Sequence, residues 1–200
     1  MIDLDLLLNC GATLRTLSKN ETIFEVGQFP SYYYQVVEGK VKMNNYTDDG
    51  KEFIQDIFTS GRSFGEPPLF IDECYPANAI AITKAVVVQI KKSLFYEMLQ
   101  KHPEVSITIN RSLARRLFYK SIMAPELSSQ SPDKRLLKLF HYLKEQQANQ
   151  QQAFMIELSR QQLADLTGLR VETVIRTVKQ LEKQDYLKIV DGKIYLEEYF

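Results

Sequence analysis

Between Thr22 and Ile90 the apolar residues come in short runs rather than at helical spacing. The runs are Thr22–Val26, Tyr32–Glu38, Val41–Asn44, Phe53–Phe58, Ala79–Ile82 and Ala85–Ile90, and they are rich in Val, Ile, Phe and Tyr. Such composition fits a pleated, half-buried surface. Gly27, Glu38-Gly39, Asp48-Asp49-Gly50 and Ser60-Gly61 punctuate the runs as turns. Short strands at near-regular spacing predict a sandwich, jelly roll or barrel, not a sheet with helical crossovers.

At Ser93 the period changes. Ser93 is placed to cap a helix that carries Leu94, Phe95, Met98 and Leu99 at helical spacing. Pro103 then opens a longer helix, expected to run to Met123. Ile109, Leu113 and Leu117 recur on it every four residues, with Ala114, Phe118 and Ile122 on a neighbouring row. One row suffices to pack the helix on its own β-domain. The second predicts a partner helix, so Ile109, Leu113 and Leu117 are read as a dimer seam. Pro125 and the run Ser128 to Pro132 predict a break and hinge. A new helix is expected from Pro132 to about Glu145, followed by a polar low-complexity loop, Gln146 to Gln152. The expected organisation is α+β: residues 1–102 as a β-domain, which the resemblance described below implies is effector-sensing, 103–130 as dimerisation helix and hinge, and 131–200 as a third module.

The last fifty residues are the most specific. Phe154–Leu158 reads as a short strand, and Ser159 with Gln162 three residues on forms a capping box. The helix beyond it turns Leu163, Ala164 and Leu166 inward, and Gly168 supplies a tight corner. A second helix, about Arg170 to Lys183, buries Val174, Val178 and Leu181. Leu187–Val190, Asp191-Gly192 and Lys193–Leu196 read as a hairpin. Two helices about a glycine corner, followed by a hairpin, form a winged helix-turn-helix, whose second helix enters the DNA major groove. Its outward residues are expected to be Arg170, Val171, Glu172, Thr173, Arg176 and Lys179. Glu172 and Arg176, four apart, share a face. Arg bonds guanine bidentately and Glu accepts from cytosine, so this pair is assigned to base readout. The plainer reading of the pair is a surface ion pair. Arg160, Thr173, Lys179 and Lys193 are assigned to phosphate contacts, with Arg170 and Val171 as further DNA-facing positions.

Composition constrains the rest. The chain has 200 residues, 25 basic and 25 acidic, so a basic footprint has to be local if it exists. No apolar run approaches the roughly 18 residues of a membrane span, and Leu6-Leu7-Leu8 has no basic residues before it. A cytoplasmic protein with no membrane partner is expected. Two cysteines, Cys10 and Cys74, and two histidines, His102 and His141, form no metal-ligand spacing, so no metal site is expected. No Gly-rich loop ending in Lys-Ser/Thr and no Gly-x-Ser-x-Gly is present, and neither an enzyme nor a catalytic residue is predicted.

In this order the pieces resemble the family of the cyclic-AMP receptor protein and the fumarate-nitrate reductase regulator, over about Leu14 to Tyr195. The resemblance is carried by Val37-Glu38-Gly39-Lys40-Val41, Gly61 to Glu66 (GRSFGE), Ser112 to Leu117 (SLARRL), Leu163 to Gly168 (LADLTG) and Val171 to Arg176 (VETVIR). It implies a jelly-roll-like, cyclic-nucleotide-binding-like β-domain, a long dimerisation helix and a winged helix. It also implies a homodimer on double-stranded DNA with inverted-repeat half-sites, RNA polymerase as a partner, and Glu172 and Arg176 at the base-reading positions. Cyclic-AMP-responsive members usually carry Arg where this chain has Val171. A Val-Glu pair looks more like the fumarate-nitrate branch, whose half-site resembles TTGA and which usually has Ser in place of Ile175.

The resemblance also locates an effector pocket: Gly65 and Glu66 opening a ribose- and phosphate-binding cassette, Pro76 and Ala77 closing it, and Lys120 and Ser121 on the long helix. Cyclic-nucleotide binders place Arg-Ser or Arg-Thr where this chain has Pro76-Ala77, and Thr-Ser where it has Lys120-Ser121. A cyclic phosphate thereby loses its guanidinium and a hydroxyl, and Pro67 and Pro68 remove nearby N–H donors. Conventional cyclic-AMP binding is not expected. An iron–sulfur cluster lacks its thiolates, haem ligation by Cys74 and His102 is the less economical reading, and no cofactor is expected. Thiol redox sensing through Cys74 has no positive support. The effector stays unknown. The competing reading is a ligand-binding regulatory subunit that acts through protein contacts, supported by the neutral charge.

Overall fold

The computed structural model describes residues 2–128, 131–146 and 154–196. The chain divides into two compact units, Met1–Ala114 and Arg115–Phe200.

In the first unit, helix α1 (Leu4–Asn9) precedes strands β1 (Thr13–Leu17), β2 (Thr22–Phe24), β3 (Tyr32–Glu38), β4 (Val41–Tyr46), β5 (Glu52–Phe58) and β6 (Ser63–Phe64). Helix α2 (Glu66–Ile71), strands β7 (Asn78–Ala81) and β8 (Ala85–Lys91), helix α3 (Lys92–Lys101) and the long helix α4 (Pro103–Ser128) follow. The strands form two four-stranded sheets, ordered β1-β8-β3-β6 and β2-β7-β4-β5, with antiparallel pairings throughout. Side-chain alternation explains the layering. In β3, Tyr34 and Val36 face the core between the sheets, while Tyr33 faces a second core under the helices. In β8, Ala85 and Val87 point one way and Val88 and Ile90 the other. A one-residue slip would invert every one of these positions.

The second core gathers Leu7, Tyr33, Val88, Ile90, Phe95, Met98, Val105 and Ile109. Gln35 fastens the start of the chain to it by donating to the Ile2 carbonyl at 2.9 Å and accepting from the Ile2 amide at 3.1 Å.

Three sequence expectations need correction. Helix α3 begins at Lys92 with Lys91 at its N-cap, so Ser93 lies inside the first turn and is exposed. Pro125 does not end α4, which continues to Ser128. Proline's φ suits a helix, and so near the end it removes only one ladder bond, to the Ser121 carbonyl. Ile109 is 3% exposed, and with half-buried Leu113 it packs on its own domain. The carbons assigned to a partner are therefore consumed by Val105, Met98 and Phe95 within the chain. Leu117, at 68%, stays exposed with Phe118 and Ile122.

The second unit comprises the end of α4, helix α5 (Pro132–Gln146), strand β9 (Phe154–Ile156), helices α6 (Arg160–Thr167) and α7 (Val171–Lys183), and strands β10 (Leu187–Val190) and β11 (Lys193–Leu196). The three strands form a sheet ordered β10-β11-β9. Its core joins Leu136 and Phe140 of α5 to Leu163, Val174, Val178, Leu181, Leu187 and Ile194. The hinge and the polar loop fall partly outside the described residues, at 129–130 and 147–153.

Candidate nucleic-acid interface

The sequence sets the geometry of α6 and α7 at three points. Ser159 caps α6: its hydroxyl accepts from the Gln162 amide at 3.1 Å, and the Gln162 side chain accepts from the Ser159 amide at 2.9 Å. Both amides would otherwise lack a partner at the helix start. Gly168 closes α6 at φ 67, a left-handed conformation that costs side-chain-bearing residues about 1–2 kcal/mol. Two polar side chains are buried in α6 without being orphaned. Thr167 donates to the Leu163 carbonyl at 2.6 Å, and Gln161 donates to Asp165 at 2.8 Å. Arg135 on α5 donates to the Thr167 carbonyl at 3.3 Å, fixing the corner to the preceding helix.

Helix α7 is sharply two-sided. Val174, Thr177, Val178 and Leu181 are buried, whereas Glu172, Arg176 and Lys179 are exposed. Among the described residues no hydrogen bond or ion pair within 4.0 Å joins Glu172 to Arg176. The two groups are thus not joined to each other in the structure, and both are exposed on α7. Arg170 at the N-cap of α7 is exposed, as is Lys193 on the wing. Val171 is half-buried against the core instead of facing outward, because its apolar side chain gains by packing there. Thr173 is also half-buried.

Sequence reasoning missed several features here. Arg160 donates to the Gly192 carbonyl at 3.2 Å, tying the start of α6 to the wing turn. Partial burial lowers its pKa. Its other N–H groups remain available to a phosphate. The Asp191-Gly192 turn, by contrast, is the one the sequence predicts, with φ of 50 and 76, the paired positive values of a tight hairpin turn. Gln180 and Lys183 share an open concavity of about 570 Å³ on α7 with Glu172, Ile175, Arg176 and Lys179. The neutral chain thus carries a local basic stripe on α7, Arg176, Lys179 and Lys183, with Glu172 beside it. Exposed cations at i, i+3 and i+7 on α7 were the signal that could have extended the site to Lys183.

The effector positions are arranged differently. Gly65, with φ 75, precedes α2, and Glu66 is its first residue, 1% exposed. Phe24 stacks on Tyr75 with ring centroids 3.6 Å apart, and a Cβ on Gly65 would lie 3.0 Å from Phe24 and 3.2 Å from Tyr75. Tyr34 and Phe64 join the same cluster. Burial raises the Tyr75 hydroxyl pKa, with Tyr34 and Glu66 adding to it, and among the described residues that hydroxyl has no hydrogen-bond partner. Pro76 is exposed and its carbonyl accepts from Asn45 at 2.6 Å, whereas Ala77 is fully buried. Lys120 and Ser121 belong to the other unit and are exposed; Ser121 donates to the Leu117 carbonyl at 2.9 Å. Cys10 and Cys74 are free and partly buried. His102 sits 3.3 Å from Glu104. Among the described residues no helix is long and apolar enough to cross a membrane.

A sandwich of two four-stranded sheets is followed in the chain by a capped helix-turn-helix and wing, the architecture of a winged-helix protein with a β-sandwich domain. Residues 14–102 match the cyclic nucleotide-binding domain family and residues 134–199 the Crp-like helix-turn-helix domain family. The chain belongs to the Crp/Fnr family of transcription regulators. It is 29% identical over 170 residues to the cAMP-activated global transcriptional regulator CRP of Haemophilus influenzae, covering 83% of this chain and 75% of that one. It is 26% identical over 182 residues to the nitrogen fixation regulation protein FixK of Bradyrhizobium diazoefficiens, covering 90% and 76%. The structure of FixK2 from Bradyrhizobium japonicum superposes with a TM-score of 0.79 at 23% identity, covering 94% of this chain and 92% of that one.

Proposed function

We propose that this protein is a homodimeric, sequence-specific DNA-binding regulator that does not respond to cyclic AMP through the usual phosphate contact. The observation that carries the reading is α7, where Glu172 and Arg176 stand exposed, four residues apart and unpaired with each other, above a basic stripe. Arg176 then reads guanine and Glu172 cytosine. Arg160, Arg170, Thr173, Lys179 and Lys193 hold phosphates, and Val171 braces the start of the helix.

A second copy is the proposed cover for Leu117, Phe118 and Ile122, which are 68%, 69% and 38% exposed on α4. Apolar side chains on one helix gain by burial against another. Two recognition helices then meet successive major grooves about 34 Å apart on inverted repeats. RNA polymerase is the proposed protein partner of the DNA-bound dimer. The proposed functional division is residues 1–102 for sensing, 103–130 for dimerisation and hinge, and 131–200 for DNA. Any effector would work by binding the DNA-competent arrangement more tightly than the other.

Against cyclic AMP stand the aromatic cluster beside Gly65 and the absence of a guanidinium at Pro76-Ala77. A cyclic phosphate there would find no guanidinium at Pro76-Ala77.

Selection from a random duplex pool tests the reading. Enrichment of a two-fold symmetric site, bound by a species of twice the chain mass in sedimentation, is expected. If the protein enriches nothing, alone or with candidate effectors, it acts through protein contacts instead.

A further inference from the structure

Ile175 is 41% exposed on α7, in the concavity it shares with Glu172, Arg176 and Lys179. Neither folding nor helix propensity accounts for it. The core is served by Val174, Val178 and Leu181, and Ile175 is not among the residues packed there. Isoleucine is also a poorer helix former than the Ala, Arg, Lys or Gln that could stand at an exposed helical position. It lies three residues after Glu172 and four before Lys179, so it belongs to the face those residues share.

A branched aliphatic side chain has no donor or acceptor. On a face otherwise equipped for hydrogen bonding it can recognise only an apolar feature. The major groove offers one such feature, the C5-methyl group of thymine. We propose that Ile175 packs on the methyl of a thymine adjoining the bases read by Glu172 and Arg176. It thereby sets a preference for thymine over cytosine at one position of each half-site. Because Ile175 cannot sense the 4-substituent, the contact follows the methyl and not the pyrimidine, and 5-methylcytosine satisfies it as thymine does. This rests on the DNA-binding reading above.

The test uses the full-length protein and its selected duplex. Each thymine is replaced in turn by deoxyuridine, which deletes only the methyl, and binding is read by anisotropy. At one position per half-site the wild type should weaken about fourfold, the factor corresponding to about 0.8 kcal/mol for one buried methyl. Ile175→Ser and Ile175→Ala should show no loss from that replacement. At the same position 5-methylcytosine should be bound about fourfold better than cytosine by the wild type and equally by the variants. Unchanged affinity of the variants for a scrambled duplex and an unchanged circular dichroism spectrum would show that they are folded. If every deoxyuridine replacement affects wild type and variants alike, Ile175 reads no methyl and the proposal is overturned while DNA binding stands. If no duplex is selected at all, the reading beneath it fails and the proposal falls with it.

Discussion

Phe24 lies flat on Tyr75, their ring centroids 3.6 Å apart and their planes 8° from parallel, against the residue that opens the cassette, Gly65. The pair belongs to the core between the two sheets.

The first prediction follows from that contact. Cyclic AMP or cyclic GMP at millimolar concentration should leave the unfolding midpoint of the β-domain unchanged. A ligand of the folded state raises it by an amount that grows as RT ln(1 + [L]/Kd), so a concentration-dependent rise would refute the proposal that cyclic nucleotides are not bound. Phe24→Ala should cost the β-domain about 3–5 kcal/mol in urea denaturation, the range for deleting a buried phenyl ring.

Two glycines should separate strain from collision. At Gly39, φ is +83 and a Cβ would lie 2.4 Å from the Lys84 carbonyl oxygen and 2.8 Å from the Ala85 Cα. At Gly168, φ is +67 but no atom of the described residues lies within 4 Å of an added Cβ. Gly168→Ala should cost only the left-handed penalty, about 1–2 kcal/mol. Gly39→Ala should cost distinctly more. Urea denaturation distinguishes the two, because they fall in different units, and equal losses would contradict the backbone contact at Gly39.

Much of this fold was legible beforehand, and the particular misses are instructive. Strands β3 and β8 announce themselves because both faces are covered, leaving long apolar runs in Tyr32–Glu38 and Ala85–Lys91. Strand β1 escaped because only Leu17 of its five residues is buried, and β6 because it has two residues. Helices α1 and α2, six residues each, are too short to display a period. Periodicity found the rows on α4 but could not say what covers each, so Ile109 was assigned to a partner although its own domain buries it. That Glu172 and Arg176 share an exposed face of α7 was readable from their spacing. The Arg160–Gly192 contact was not, since 32 residues separate its members. Nor does a sequence reveal whether Glu172 and Arg176 bond each other.

The Ser159 cap gives a third prediction. Ser159→Ala removes the acceptor of the Gln162 amide and leaves half of the capping box. A loss of about 1 kcal/mol is expected from the C-terminal unit, measured by chemical denaturation. Ser159→Asp, which keeps an acceptor, should recover most of it, and failure to do so would count against the cap.

A fourth concerns pH. The Ser131 hydroxyl donates to Asp133 in the first turn of α5 and holds its carboxyl below the usual carboxylate value. A carboxyl depressed by folding stabilises the fold above its unfolded pKa, about 3.9. That contribution is lost as pH falls through the lower folded value. Ser131→Ala should therefore raise the Asp133 pKa in an NMR titration. Its stability deficit should be present at neutral pH and fade in acid, below the folded pKa. An unmoved titration would show that the hydroxyl does not set it.

The central claim, that α7 reads DNA bases through Glu172 and Arg176, is tested most directly by fluorescence anisotropy. The probe is a duplex carrying two inverted TTGA-type half-sites one helical turn apart, compared with a scrambled duplex. The wild type should prefer the first, and Glu172→Ala and Arg176→Ala should each lose about 1–3 kcal/mol on it. On the scrambled duplex, where only phosphates are held, the two variants should lose less, while Lys179→Ala should weaken both duplexes alike. If the wild type discriminates between the duplexes and both variants keep that discrimination intact, base readout by this pair is contradicted.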